Sequence, residues 1–105
     1  MTSDVSAWGH RGHRDGNRYV LALQGELDMS AADELRDLFT AAIGQAPVIE
    51  VDLDVVTFID STVISTLINA HHEAAAAGGS LHVSRPTGHV HRVLTMTGVL
   101  PTLTA

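Results

Sequence analysis

The sequence predicts an α/β fold: a single domain built around a four- to five-stranded mixed sheet with βαβ crossover helices. Three observations predict it. Short β-branched apolar runs alternate with segments of helical period, in the order strand, helix, strand, helix, strand, helix. Glycine and proline punctuate nearly every change of period. The length of 105 residues fits one domain and leaves no room for two. Each crossover helix returns the chain to a parallel neighbour with a right-handed connection.

The N-terminal segment, residues 1–18, is the least regular. Val5 to Trp8 reads as a short edge strand, and Gly9 to Asn17, with its mixed Gly, His, Arg and Asp, reads as turn or loop. The domain proper spans residues 19–105. Its first strand lies in Arg18 to Gln24, "RYVLALQ", stopped by Gly25, with "GELD" as the following turn. Ser30 opens a helix, with Asp33 in the capping-box position. Leu35, Leu38, Phe39, Ala42 and Ile43 lie on one helical face, and Gly44 and Pro47 end the segment.

The second strand, Val48 to Leu53, alternates Ile49, Val51 and Leu53 with Glu50 and Asp52. The next helix runs from about Ser61 to Ala77, with Ile64, Leu67, Ile68, His71 and Ala75 expected on its inner face and Gly78-Gly79 at its end. Ser80 to Ser84 alternates Leu81 and Val83 inward as a third strand. Pro86 starts a shorter helix carrying Val90, Val93 and Leu94, and Gly98 closes it. "VLPTLTA" is read as a final short strand.

Composition narrows the function. A hydrophobic share of 45% with 17% charged residues is that of a globular protein able to fill a core. With no cysteine, disulfides, thiolate catalysis and Cys-based zinc sites are excluded. The net charge is −6, and all six basic residues are arginine, a poor balance for wrapping phosphate backbones, so no nucleic-acid partner is expected. No apolar run reaches the ~18 residues that span a bilayer, and the N-terminus lacks the apolar stretch of a secretory signal. The expectation is a cytoplasmic protein without direct membrane insertion.

Enzymatic signatures are missing. There is no G-x-G-x-x-G, no P-loop and no G-x-S-x-G elbow. His71 and His72 point about 100° apart on a helix, His89 and His91 also diverge, and His10 and His13 lack a third ligand, so no metal site is expected. Ser61 and Asp60, being adjacent, cannot take the nucleophile and orienter roles around a bridging histidine without severe strain. No cofactor is expected, and the chain is not read as an enzyme.

The segment Asp60-Ser61-Thr62 is the candidate site. One such residue would suffice to cap the helix, a role worth about 1 kcal/mol. Three polar residues stand there, beyond the carboxyl end of a parallel strand, the edge where α/β proteins place their sites. A phosphate added in the first helical turn meets unpaired N–H groups and the positive end of the helix dipole. It brings about −1.5 to −2 charges to a surface that Asp60 already makes negative. A switch read by a partner is a physically sensible use of this junction.

The "GELD" of Gly25–Asp28, the "VDLDVVTFIDST" ending at Thr62 and the "MTGVL" of Met96–Leu100, in this order, resemble the STAS domain family, which includes the anti-sigma factor antagonists and a domain of sulphate transporters. The resemblance implies that Thr62 is the phosphoacceptor, with Ser61 the second choice and otherwise a capping residue. It implies an anti-sigma factor with serine/threonine kinase activity as partner, bound in the unphosphorylated state, and a phosphatase that resets the switch. The partner-binding face it implies comprises Asp28, Asp60, Ser61, Thr62 and Val63. Val63 and Ser65 stand where the family carries glycine, and a β-branched Val63 is expected to limit backbone approach to the helix start. Many antagonists also carry a last helix packed on the sheet. The same resemblance admits a constitutive STAS subunit of an ABC-type lipid transport complex, or a scaffold in a stress-signalling assembly that is not phosphorylated.

Overall fold

Two parallel strands, β2 (Arg18–Leu27) and β3 (Val48–Ile59), form the centre of the sheet. β4 (Ser80–Ser84) lies parallel to β3, and β1 (Trp8–Asp15) pairs antiparallel with β2, giving the order β1-β2-β3-β4. Parallel neighbours need a crossover. α1 (Ala32–Ile43) joins β2 to β3, and α2 (Ser61–Ala76) joins β3 to β4. α3 (Gly88–Met96) and α4 (Leu100–Thr104) follow. This computed structural model describes residues 7–104.

One sheet face is covered and the other is open. Leu21, Leu23, Ile49, Val51, Leu53, Leu81 and Val83 are buried against Leu35, Phe39, Leu67, Val90, Leu94 and Leu103 of the helices. The alternate residues Ala22, Glu50, Asp52, His82 and Ser84 are only half-buried. The molecule measures 43 × 34 × 21 Å. Its smallest dimension is that of one sheet layer and one helix layer, about 10 Å each. Polar side chains pair across the open face. Arg18 bridges Glu50 at 2.8 Å, Ser84 Oγ donates to Glu50 at 2.7 Å, and Arg85 reaches Asp52 at 2.6 Å.

The sheet has the four strands at the lower end of the expected number, but several boundaries differ from expectation. Val5, the start expected for an edge strand, lies outside the described residues. The edge strand instead covers Trp8–Asp15, most of the segment expected to be loop. It is held by a two-residue hairpin in which Asp15 faces Arg18. Gly16, at φ 65°, takes the first central position of the turn, where a positive φ is required. β2 does not stop at Gly25: the chain passes through it at φ 89° and stays paired with β3 as far as Leu27 opposite Ile59. β3 runs six residues beyond Leu53, with register breaks between Ala22 and Gln24 and between Gly25 and Glu26. Each bulge adds a residue to β3 and shifts its alternation, so Val56 and Ile59 are buried while Val55 is exposed.

Two helix predictions also change. Ser30 is not a cap: it sits inside a single 3-10 turn, Met29–Ala31, that Asp28 caps. Within the segment expected as a final strand, Leu100–Thr104 form α4 instead. Pro101 is in the first turn, where a missing N–H costs nothing, and Leu103 is buried beside β4. The inner face of α2 is Val63, Ile64, Leu67, Ala70 and Ala74. It is rotated from the expected one, leaving Ala75 exposed and His71 half-buried.

Candidate functional site

The junction between β3 and α2 is built from two local facts. Ile59 is buried and anchors the end of the strand, and Asp60 keeps an extended backbone, φ −115°. The Asp60 carboxylate accepts the Val63 N–H at 3.0 Å, and its carbonyl accepts the Ile64 N–H at 3.0 Å, so the helix begins at Ser61. Asp60 is therefore the cap and Ser61 the first helical residue, the reverse of the role expected for Ser61. Val63 and Ile64 turn inward, to 1% and 7% exposure, which forces Ser61 and Thr62 out to solvent. Thr62 contributes its carbonyl to the Thr66 hydroxyl at 2.9 Å. Among the described residues neither the Ser61 nor the Thr62 hydroxyl is engaged by a protein group.

Val63 needs correction as a surface residue. Its side chain belongs to the core and its N–H is taken by Asp60, so it does not crowd the approach to the helix start.

Asp28 stands in the same arrangement one strand away. Its backbone is extended at φ −119°, and its carboxylate accepts the Ser30 N–H at 2.9 Å and the Ser30 hydroxyl at 2.5 Å. The Ser30 hydroxyl, and then the Ser30 N–H, hold the carboxyl below the usual carboxylate range. Because Leu27 and Ile59 are register partners, Asp28 and Asp60 follow one another across the carboxyl edge of the sheet. The structure thus brings Asp28, Asp60, Ser61 and Thr62 to one edge. Exposed apolar groups accompany them: Met29 at 70% and Phe58, whose ring stacks on His89 at 5.3 Å and 7°.

A groove of about 360 Å³ opens between α1 and α2 from the Thr62 end. Asp33, Arg36 and Phe39 line one side, and Thr62, Thr66 and Glu73 the other. Sequence reasoning missed it. The exposed polar face of α1 was visible, but which helix it would meet was not.

The histidines have other duties. His71 Nδ1–H donates to the Leu81 carbonyl at 2.7 Å, tying α2 to β4. Among the described residues no three His, Asp or Glu side chains converge on a common point suited to a metal ion. No helix of the described residues is long and apolar enough to cross a membrane.

This sheet order, the capped β3–α2 junction and the aspartate beside it define the class of domain. Residues 10–101 match the family of the Mlab STAS domain, and the chain belongs to the STAS domain family. Among curated proteins none matches the chain by sequence. Of solved structures, an anti-sigma factor antagonist from Mycobacterium paratuberculosis superimposes with a TM-score of 0.81 at 21% identity, covering 98% of this chain and 87% of its own. The unphosphorylated form of the anti-sigma factor antagonist SpoIIAA gives 0.78 at 23% identity, over 92% and 86% of the two chains. A sulfate transporter family protein from Wolinella succinogenes gives 0.72 at 18% identity, over 85% and 73%. At these identities the likeness is one of fold.

Proposed function

We propose that this chain is an anti-sigma factor antagonist. It binds, through the carboxyl edge of its sheet, an anti-sigma factor that is also a serine/threonine kinase, and it is switched off by phosphorylation at Thr62. The reading places it in the cytoplasm as a regulatory binding protein without catalysis of its own. The observation that carries it is the exposed Thr62 hydroxyl, unengaged among the described residues, on the sheet edge that carries Asp28 and Asp60 and also presents Met29 and Phe58. The fold likeness to two anti-sigma factor antagonists supports it.

The switch needs no refolding. Thr62 Oγ1 attacks the γ-phosphorus of ATP, the bond to the leaving ADP breaks, and the hydroxyl proton passes to the kinase's base. The new dianion lies on a surface that two capping aspartates already make negative. A partner covering it must strip its water and tolerate the repulsion of its own acids, which lowers affinity. A phosphatase restores the hydroxyl and with it the binding state.

The test is capture of partners from the native lysate by wild type, Thr62→Ala and Thr62→Asp. One ATP-binding anti-sigma factor held by the first two and released by Asp is the expected result. A second reading, a constitutive subunit of a membrane transport complex, draws on the likeness to the sulfate transporter family protein. It predicts equal capture of a transporter ATPase by all three.

A further inference from the structure

Among the described residues Arg36 is the one cation lining the groove that Thr62 opens onto, and its position relative to that hydroxyl follows from the packing of the two helices. α1 and α2 start at the same sheet edge and run side by side. Thr40 donates to Glu73 at 3.4 Å at the far end, while Asp33 and Thr62 share the near end. Long helical side chains lean back toward their own N-terminus. Arg36 does so: its Nη1 is 3.7 Å from Asp33, one turn earlier, which brings the guanidinium toward the Thr62 end.

The fork is weakly held. Its approaches to Asp33 at 3.7 Å and Asp37 at 3.9 Å are beyond hydrogen-bonding distance, and both carboxylates are largely exposed. Among the described residues its N–H donors have no bonded acceptor.

We infer that Arg36 is the internal receiver for a phosphate on Thr62, drawing it into the α1–α2 groove and prolonging the phosphorylated state. A phosphate offers three oxygens and nearly two charges where Asp33 offers one, and a guanidinium fork matches it in bidentate fashion. Asp33 and Glu73, the groove's two acids, repel the dianion, so without Arg36 the phosphate would be pushed toward solvent and toward a phosphatase. Among the described residues no histidine lines the groove.

This inference rests on the modification at Thr62, and its test does not need the kinase. Phosphothreonine is installed at position 62 by chemical ligation, in wild type and in Arg36→Gln. The second phosphate pKa, ordinarily about 6, is read by ³¹P NMR. The expected result is a value about half a pH unit lower in wild type than in Arg36→Gln, shrinking as salt is raised. The Arg36 Nε–H signal moves with the same midpoint, and alkaline phosphatase removes the phosphate faster from Arg36→Gln. Arg36→Lys, which keeps the charge without the fork, falls between them. Equal pKa values in wild type and Arg36→Gln, with a stationary Nε–H signal, overturn the inference. If instead the pairing is present but partner capture is indifferent to the phosphate, Arg36 is the receiver and the partner switch is what fails.

Discussion

Leu27 and Ile59 are register partners in adjacent parallel strands, so Asp28 and Asp60 leave the sheet side by side. Each caps the helical turn that follows with its own carboxylate. The repetition of this device aligns the 3-10 turn and α2 along one edge and leaves the Thr62 hydroxyl uncommitted.

The cap role separates Asp60 from its neighbours. Asp60→Ala is expected to lose about 1 kcal/mol of stability, and Asp60→Asn much less, since Asn caps nearly as well. Ser61→Ala and Thr62→Ala, exposed and without side-chain partners among the described residues, should stay within about 0.5 kcal/mol of wild type. Urea denaturation at constant m-value reads all four. A loss at Ser61 equal to that at Asp60 would reassign the cap.

Val63 tests the inward turn of α2. Val63→Ala should cost about 1–3 kcal/mol through lost burial and the cavity left behind. Val63→Gly, which restores the family glycine, should cost about 1 kcal/mol more through helix propensity. Circular dichroism melts check this. A neutral Val63→Ala would place that side chain at the surface after all.

Gly25 and Gly16 both have positive φ, but only one is crowded. A Cβ at Gly25 would stand 2.2 Å from the Ala7 carbonyl oxygen, while one at Gly16 meets nothing within 4 Å. Gly16→Ala is expected to cost about 1–2 kcal/mol from the left-handed backbone alone. Gly25→Ala should cost clearly more, because β1 and the bulge must also shift. Comparing their denaturation midpoints decides it.

Asp52 and Arg85 set an acid limit. The Arg85 guanidinium, hydrogen-bonded to Asp52 at 2.6 and 3.2 Å, holds the Asp52 carboxyl below the usual range, with burial opposing and the Asp54 N–H helping. A lowered folded-state pKa means the folded protein binds fewer protons than the unfolded chain. The stabilisation is therefore complete above about pH 4, the unfolded value, and is lost as pH falls through the lower folded value. Asp52→Asn should be less stable than wild type at neutral pH and converge with it in acid. A difference unchanged at low pH would refute the pairing. Arg85 also holds φ 54°, so Arg85→Gly relieves backbone strain while losing the pair and should cost less than Arg85→Ala.

Legibility followed how local the determining force was. The start of α2 could be read because capping-type residues followed by an apolar helical face are written consecutively, although the cap proved to be Asp60 and not Ser61. β1 could not, since both faces of "GHRGHRD" are largely exposed and no alternation marks them; the strand exists because β2 offers its edge and Gly16-Asn17 closes the hairpin. The ends of β2 and β3 were misjudged where the two bulges break the period-two pattern. "VLPTLTA" is too short to show a period, and burial of Leu103 decided it.

By itself the sequence determined the α/β class, the cores of the central strands, the three longer helical segments and the acid-hydroxyl cluster at the start of α2, because propensity, capping and periodicity act within a few residues. The tertiary structure alone decided that Asp28 neighbours Asp60, that Val63 is core and that Arg36 shares a groove with Thr62. Those relationships depend on strand register and helix packing between residues far apart in the chain, and no local pattern encodes the distance between two faces until both are folded.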